Sequence, residues 1–332
     1  MTSIFKKPNI NSPKYSYIIK SIEEAISERA LIKGDKLPSL NKVCMELQVS
    51  RDTVLIAYHE LKKRGIVYSI LGKGYYIKSS DVNFEKRFFL LFDELNSFKE
   101  DLYTSLLKEL GDKAEVDIYF HHFNRKMFKK LVNDSKGNYS KYIIMPTKFE
   151  DARIDISSLP VEDVYILDQT HSSLMQYPGV FQNFSKDIFK ALIKGLDKLK
   201  TYQHLKLIYP GNKEPEGMVL GFQQFAKAYR FPYSIQTNFF EEEIKHHTVY
   251  IVPSDRDLVS IIEQSKRQNL SIGKDFGIIS YNDTVLKKVV ENGITTISTD
   301  FKAMGSILAQ MLLNNSKEQV ENECELILRN SL

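Results

Sequence analysis

The sequence predicts an α/β protein with an N-terminal winged helix-turn-helix and a larger body of parallel sheets. Three observations lead there. Residues 37–76, LPSLNKVCMELQVSRDTVLIAYHELKKRGIVYSILGKGYY, read as capped helices followed by a two-stranded hairpin with a Gly-Lys-Gly tip. After Ser79-Ser80-Asp81, short continuous apolar runs alternate with helical stretches, the texture of parallel sheets covered on both faces. Charge separates the same two regions. Residues 1–80 hold 14 Lys/Arg against 7 Asp/Glu, and the remainder holds 32 against 35. A basic head on a slightly acidic body points to a polyanion partner for the head alone.

In the head, Tyr15–Glu28 carries Ile18, Ile19, Ile22 and Ile26 at three- and four-residue spacing, an amphipathic helix. Gly34-Asp35-Lys36-Leu37-Pro38 breaks it. Ser39 can cap a second, short helix that turns Val43 and Leu47 inward. Ser50 can cap a third, with Asp52 in its positive first turn, a buried stripe of Val54, Ala57, Tyr58 and Leu61, and Gly65 as its stop. Ile66–Ile70 and Tyr75–Lys78 are the strands around the tip Leu71-Gly72-Lys73-Gly74. The stripe leaves Arg51 and Asp52 at the exposed start of the third helix, where recognition helices present side chains to base edges. An arginine there can donate two hydrogen bonds to a guanine edge. Ser50 and Thr53 can bind phosphate through their hydroxyls and the helix amide ends, although Ser50 taken alone reads more readily as a cap than as a phosphate ligand. Gly72, Lys73 and Gly74 let the wing backbone lie close to sugar and phosphate.

Expected strands of the body are 88–92, 116–120, 142–145, 164–167, 205–209, 248–252 and 276–279. Helical patterns lie near 97–110, 185–200, 216–230, 255–268 and 300–314. Ligands of such sheets bind beyond the carboxyl ends of strands. The polar residues at those ends are Asp93 and Asn96, Thr147, Asp168 and Gln169, Ser254 and Asp255, and Asn282 and Asp283.

Residues 15–79 closely resemble the DNA-binding domain of the GntR family of bacterial transcription regulators. The match rests on Leu37-Pro38-Ser39, VSRDTV at 49–54, the run from Ala57 to Gly65, and GKGYYI at 72–77. The resemblance implies a DNA contact two residues after Ser39, where the family has arginine and this chain has Asn41. A second basic position of the recognition helix is Leu55 here. Residues 86–329 resemble the sugar-sensing domain of LacI/GalR regulators, a two-lobed type I periplasmic-binding-protein-like fold. The matching segments are 221–231, 252–262, 272–284 and 294–313. That resemblance implies an effector between two lobes, with Asp255, Asn282 and Thr299 as contacts, together with Asp93, Asn96, Phe98, Thr147, Asp168, Ser254 and Tyr281. Phe98, Phe149, Tyr281 and Phe301 could pack on a sugar's apolar face. Two positions depart from the pattern: Met218 stands where an arginine commonly grips sugar hydroxyls, and Asn282 replaces an aspartate. The whole arrangement is similar to arabinose-type regulators that fuse the two parts.

The expected division is a winged head at 1–79, a linker at 80–87 and a two-lobed effector-binding and dimerisation domain at 88–332. Enzyme classes find little support. No GxSxG nucleophile motif occurs, and no Schiff-base lysine stands in a phosphate-binding context. His121-His122 and His246-His247 are adjacent pairs whose side chains diverge on a strand, and Cys44 and Cys324 lack metal-ligand spacing. Neither a metal nor a cofactor is expected. The N-terminal residues lack the apolar core of a signal peptide, and no apolar run reaches the roughly 18 residues of a membrane span. The expectation is a cytoplasmic, homodimeric regulator that binds double-stranded operator DNA and is released by a monosaccharide. A sugar phosphate or a purine is the alternative effector, and an enzyme-like body under the same head is the alternative class.

Overall fold

The computed structural model describes residues 4–5, 14–79, 86–149, 151–240 and 242–332. The expected linker at 80–87 lies largely outside them. The head contains α1 (Lys14–Ser27), α2 (Leu40–Leu47), α3 (Arg51–Lys63), β1 (Val67–Ile70) and β2 (Gly74–Ile77). Then follow β3 (Arg87–Phe92), α4 (Ser97–Leu110), β4 (Glu115–Phe120), α5 (Arg125–Ser135), β5 (Lys141–Ile144), α6 (Ala152–Ile156), β6 (Val164–Asp168) and β7 (Gly179–Phe181). The remainder is α7 (Phe184–Lys194), α8 (Leu196–Leu199), β8 (His204–Ile208), α9 (Glu216–Ala228), β9 (Tyr233–Gln236), β10 (Thr248–Val252) and α10 (Asp255–Arg267). The last elements are β11 (Gly277–Tyr281), α11 (Val285–Val289), β12 (Thr295–Thr299), α12 (Phe301–Asn314), β13 (Gln319–Glu321) and β14 (Cys324–Ile327).

The chain forms two compact units. The first comprises Met1–Glu94, Leu110–Met145 and Asp151–Tyr165. Its head closes around Ile18, Ile22, Val43, Val54, Tyr58, Leu61 and Ile77, so the spacing of apolar residues in α1 and α3 becomes one shared core. The Tyr58 hydroxyl donates to the Pro38 carbonyl at 2.8 Å, tying α3 to the turn before α2. Strands β1 and β2 pair antiparallel, with Ile70 opposite Gly74 at the wing tip. Elsewhere in this unit β3 lies between β4 and β5, parallel to both. Phe88 to Phe92 are all buried, as a strand covered on both faces requires. The end of α3 is fastened to this layer. Lys63 and Lys141 both pair with Asp163, at 3.4 and 3.0 Å, and Gly65 takes the left-handed conformation with φ +70° against the Arg87 side chain.

The second unit comprises Leu95–Glu109, Pro146–Glu150 and Ile166–Leu332. Its sheet has the order β14-β12-β11-β10-β8-β9, parallel except where β14 runs against β12. Helices α7 and α9 cross closely because Gly221 has no side chain: a Cβ there would stand 2.1 Å from the Ser185 carbonyl oxygen. Strand β7 pairs in parallel with β6 and with β13. The chain passes three times between the β7–β13 pair and the larger sheet, before α7, after β12 and before β14. The passages are laced together: Asn322 N–H donates to Phe181 O at 2.8 Å, and its side-chain amide donates to Asp300 O at 2.9 Å.

All seven expected body strands are present. The expected helix at 185–200 is two helices, because the chain breaks at Gly195, where a Cβ would meet the Leu326 side chain at 2.8 Å. Strands β7, β9, β13 and β14 carry no clear apolar run and are held by pairing with neighbours.

Candidate nucleic-acid interface and effector pocket

The head presents its candidate contacts on three short surface features. Ser39 caps α2 by accepting from Lys42 N at 3.3 Å, and Asn41 is exposed in the first turn of that helix. Ser50 accepts from Thr53 N at 3.2 Å, and the two hydroxyls lie 2.8 Å apart. The cap therefore orders the start of α3, where Arg51 and Asp52 project into solvent. At the wing, Gly72 and Gly74 have φ of +73° and +107°, which bends the tip around exposed Lys73. Lys36 lies over the Tyr76 ring at 5.8 Å and adds a second cation beside the hairpin. Burial pulls the His59 imidazole below its ordinary range, and Lys62 and Lys63 pull it further, so α3 carries no extra charge there at neutral pH.

In the second unit a cavity of about 710 Å³ opens beyond the ends of β5 and β6. Thr147, Lys148, Gln169, Thr170, His171 and Ser172 form one part of its wall, and Gln182, Asn183, Phe184, Ser185 and Glu216 another. Hydroxyl, amide, amine and imidazole groups share the wall with apolar surface from Met175, Phe181, Phe184 and Pro215. Lys148 holds an ordered place, donating to Gly211 O at 3.0 Å with its ammonium over the Tyr209 ring. His171 Nδ1 meets Ser173 Oγ at 2.9 Å, while its Nε2 is buried without a protein partner. The Gln182 side-chain amide donates to Asp168, and the buried Oε1 of Gln182 has no protein partner. Both free atoms sit on wall residues: Gln182 Oε1 can accept from a ligand hydroxyl, and His171 Nε2 can accept or donate according to its tautomer.

Backbone strain gathers at the same strand ends. Thr147 and Asp168 have φ of +53° and +73°, and Asn282, after β11, has +60°. For a β-branched threonine this conformation costs about 1–3 kcal/mol, and such residues collect at ligand sites. The strand-end rule thus marks Thr147 as a wall residue and Asp168 as the buried partner of one.

The other sequence candidates fall elsewhere. Asp93, in the first unit, is buried, and its carboxylate accepts from Glu94 N at 2.6 Å. Asn96 accepts from Lys99 N at 3.1 Å in the first turn of α4, and Phe98 packs on Phe301 with centroids 4.7 Å apart. Ser254 caps α10 through Asp257 N at 3.3 Å. Tyr281 is buried within the core around Phe222 and Ile279, so its ring is core packing. Met218 belongs to that core as well. Thr299 is buried and donates to Glu323 O at 3.4 Å.

Three candidates converge on Lys287, which motif reading did not single out. Its buried ammonium donates to Tyr281 O at 2.8 Å and Asn282 O at 3.0 Å, and pairs with Asp255 at 2.8 Å. Next to them, Arg329 grips Asp283 with two hydrogen bonds of 2.7 and 2.9 Å. Burial alone would raise the Asp283 carboxyl, but the bonds from Arg329 and Thr296 prevail and hold it below the usual carboxylate range. Asp187, in the first turn of α7, goes the other way. Burial, with Glu321 adding repulsion, pushes it up to about 7. The signal for the pairs Lys287–Asp255 and Arg329–Asp283 was absent locally, since their partners are brought near by the sheet.

Among the described residues no group of three or more histidine, cysteine or acidic side chains could hold a metal ion. No helix among them is long and apolar enough to cross a membrane.

Residues 14–77 match the bacterial regulatory proteins of the gntR family, and residues 193–332 match the periplasmic binding protein-like domain. The chain is similar to the uncharacterized HTH-type transcriptional regulator YcxD of Bacillus subtilis, 41% identical over 64 residues, 19% of this chain and 14% of that protein's length. It is 20% identical to the arabinose metabolism transcriptional repressor of Geobacillus stearothermophilus, over 96% of this chain and 97% of that one. In fold it is similar to a dimeric lac repressor with a C-terminal deletion, with a TM-score of 0.62, 16% identity, and coverage of 74% of this chain and 98% of that one. A gntR-type winged helix and a periplasmic-binding-protein-like domain thus share one chain, with parallel sheets as in the lac repressor.

Proposed function

We propose that this chain, a gntR-type head joined to a periplasmic-binding-protein-like body, is a ligand-responsive transcription repressor. In this reading residues 1–79 bind operator DNA, and residues 88–332 bind the effector and form a homodimer. The effector is a monosaccharide. The observation that carries this is the cavity of about 710 Å³, lined by both polar and apolar groups, whose wall holds Thr147 in a left-handed backbone and unpartnered atoms on Gln182 and His171. A sugar matches it by offering many hydroxyls and a ring face for Phe181 or Phe184. A two-fold pair of heads would place two copies of α3 on successive major grooves of a symmetric site. Ligand weakens DNA binding only by the difference in its affinity for the two arrangements of the dimer. The arabinose repressor similar over its full length and the fold shared with the lac repressor support the reading. A phosphorylated sugar is the second reading, favoured by Lys148 and His171 on the wall.

The test is a titration of free and phosphorylated sugars against the chain bound to a selected duplex, followed by fluorescence anisotropy and thermal melting. One sugar class is expected to raise the melting temperature and release DNA. A panel in which no compound changes either quantity would sink the sensor reading. Ser172→Ala with Gln182→Leu should weaken the response to the active sugar and leave DNA affinity without sugar unchanged.

A further inference from the structure

The reading face of α3 carries apolar side chains where a cation would serve phosphate contact. The buried stripe of Val54, Ala57, Tyr58 and Leu61 fixes the orientation of the helix in the head. Leu55 stands four residues after Arg51 and three after Asp52, so the three side chains share one face of the helix. Leu55 is half-buried. Ile56, one turn beyond Asp52, leaves 54% of its surface exposed. A charged or polar residue at either position would be solvated at no cost to the core. The head around them is basic, with Lys36 and Lys73 at the wing and Arg51 at the helix start.

In the major groove one base edge offers an apolar group: thymine, through its C5-methyl. We propose that Leu55 and Ile56 read thymine methyl groups, so that the half-site couples a polar contact from Arg51 to neighbouring thymines. The inference rests on the DNA-binding reading above and names the base chemistry that this head selects. Asp52, on the same face, accepts from an adenine or cytosine amino group and disfavours a phosphate at that point. His59, four residues after Leu55, is held towards its neutral form by burial and by Lys62 and Lys63. The middle of the reading face is therefore apolar and uncharged, and discrimination there comes from methyl contact.

The experiment uses the full chain. A duplex is selected from a random library, and each thymine of the selected site is replaced in turn by deoxyuridine. That exchange removes the methyl and keeps every hydrogen-bonding group. Affinity is expected to fall roughly fourfold at one or two positions of each half-site, the worth of one buried methyl. The Leu55→Ala, Ile56→Ala double variant should bind the thymine and uracil duplexes equally at those positions. Its dependence on salt should stay as in the unaltered chain, because phosphate contacts are untouched. Uracil duplexes that bind as tightly as thymine duplexes would overturn the proposal, as would uracil sensitivity that survives in the double variant. A selected site without thymine would overturn it as well. If no duplex is enriched, the DNA-binding reading itself fails. The uracil scan on the unaltered chain decides the matter even if the variant does not fold.

Discussion

The start of α3 and the wall of the cavity place polar side chains in opposite circumstances. Ser50, Arg51 and Asp52 are exposed, follow one another in sequence, and depend on a single cap for their geometry. Thr147, Asp168 and Gln182 are buried, come from separate strand ends, and lie beside left-handed backbone or unpartnered atoms. The head can thus change a contact residue at little cost to its fold. In the body, binding groups and fold share the same residues. Substitutions at the two sites should therefore separate affinity from stability in the first case and couple them in the second.

The largest expected effect lies among the ion pairs of the body. Arg329→Ala strips the half-buried Asp283 carboxylate of two charged hydrogen bonds, leaving it Thr296 and Lys288, and should cost about 2–3 kcal/mol in denaturant unfolding. The pH dependence has a definite sign. Because the folded Asp283 carboxyl lies below its unfolded value, its stabilisation is present above the unfolded value and is lost as pH falls through the folded one. Arg329→Ala should flatten that acid limb. An unaltered limb would show that other carboxylates carry it.

Arg51→Ala should weaken binding of a selected duplex by roughly 1–3 kcal/mol and relax one base position, while the melting temperature stays within a degree or two of the unaltered chain. A large drop in melting would break the contrast, because the head's reader would then also be part of its fold. Ser50→Ala is expected to cost about 1 kcal/mol of head stability through the lost cap, and to weaken DNA binding only through disorder at the start of α3. Binding of short duplexes at low temperature, where the helix is retained, separates cap from phosphate contact. The smallest effect sharpens the other side. Thr147→Gly removes a strained left-handed threonine and should raise stability by about 0.5–1 kcal/mol while weakening the effector response. A variant that gains stability and keeps its full response would remove Thr147 from the binding wall.

Legibility followed range. Caps, stripes and the wing are set by residues within a few positions of each other, so α1, α2, α3 and both wing strands were readable. Strands buried on both faces were readable for the same reason, as uninterrupted apolar runs. Edge strands such as β9, β13 and β14 were not, because pairing rather than side-chain pattern holds them. Within the site, the strand-end rule marked Thr147 and Asp168. It also marked Ser254, which is a helix cap, and family position marked Tyr281, whose ring is core. Neither signal distinguishes a ligand contact from a cap or a core group, because both place a polar or aromatic side chain at the end of a strand.

By itself the sequence determined a basic winged head and an α/β body, because local periodicity, capping and charge are written in neighbouring residues. Tertiary structure alone decided which polar groups share a wall. Gln182, His171 and Lys148 meet there from three loops, and Lys287 and Arg329 bind partners up to 46 residues away. Such convergence depends on how strands are ordered and where the chain crosses between sheets, and no short window of sequence records either.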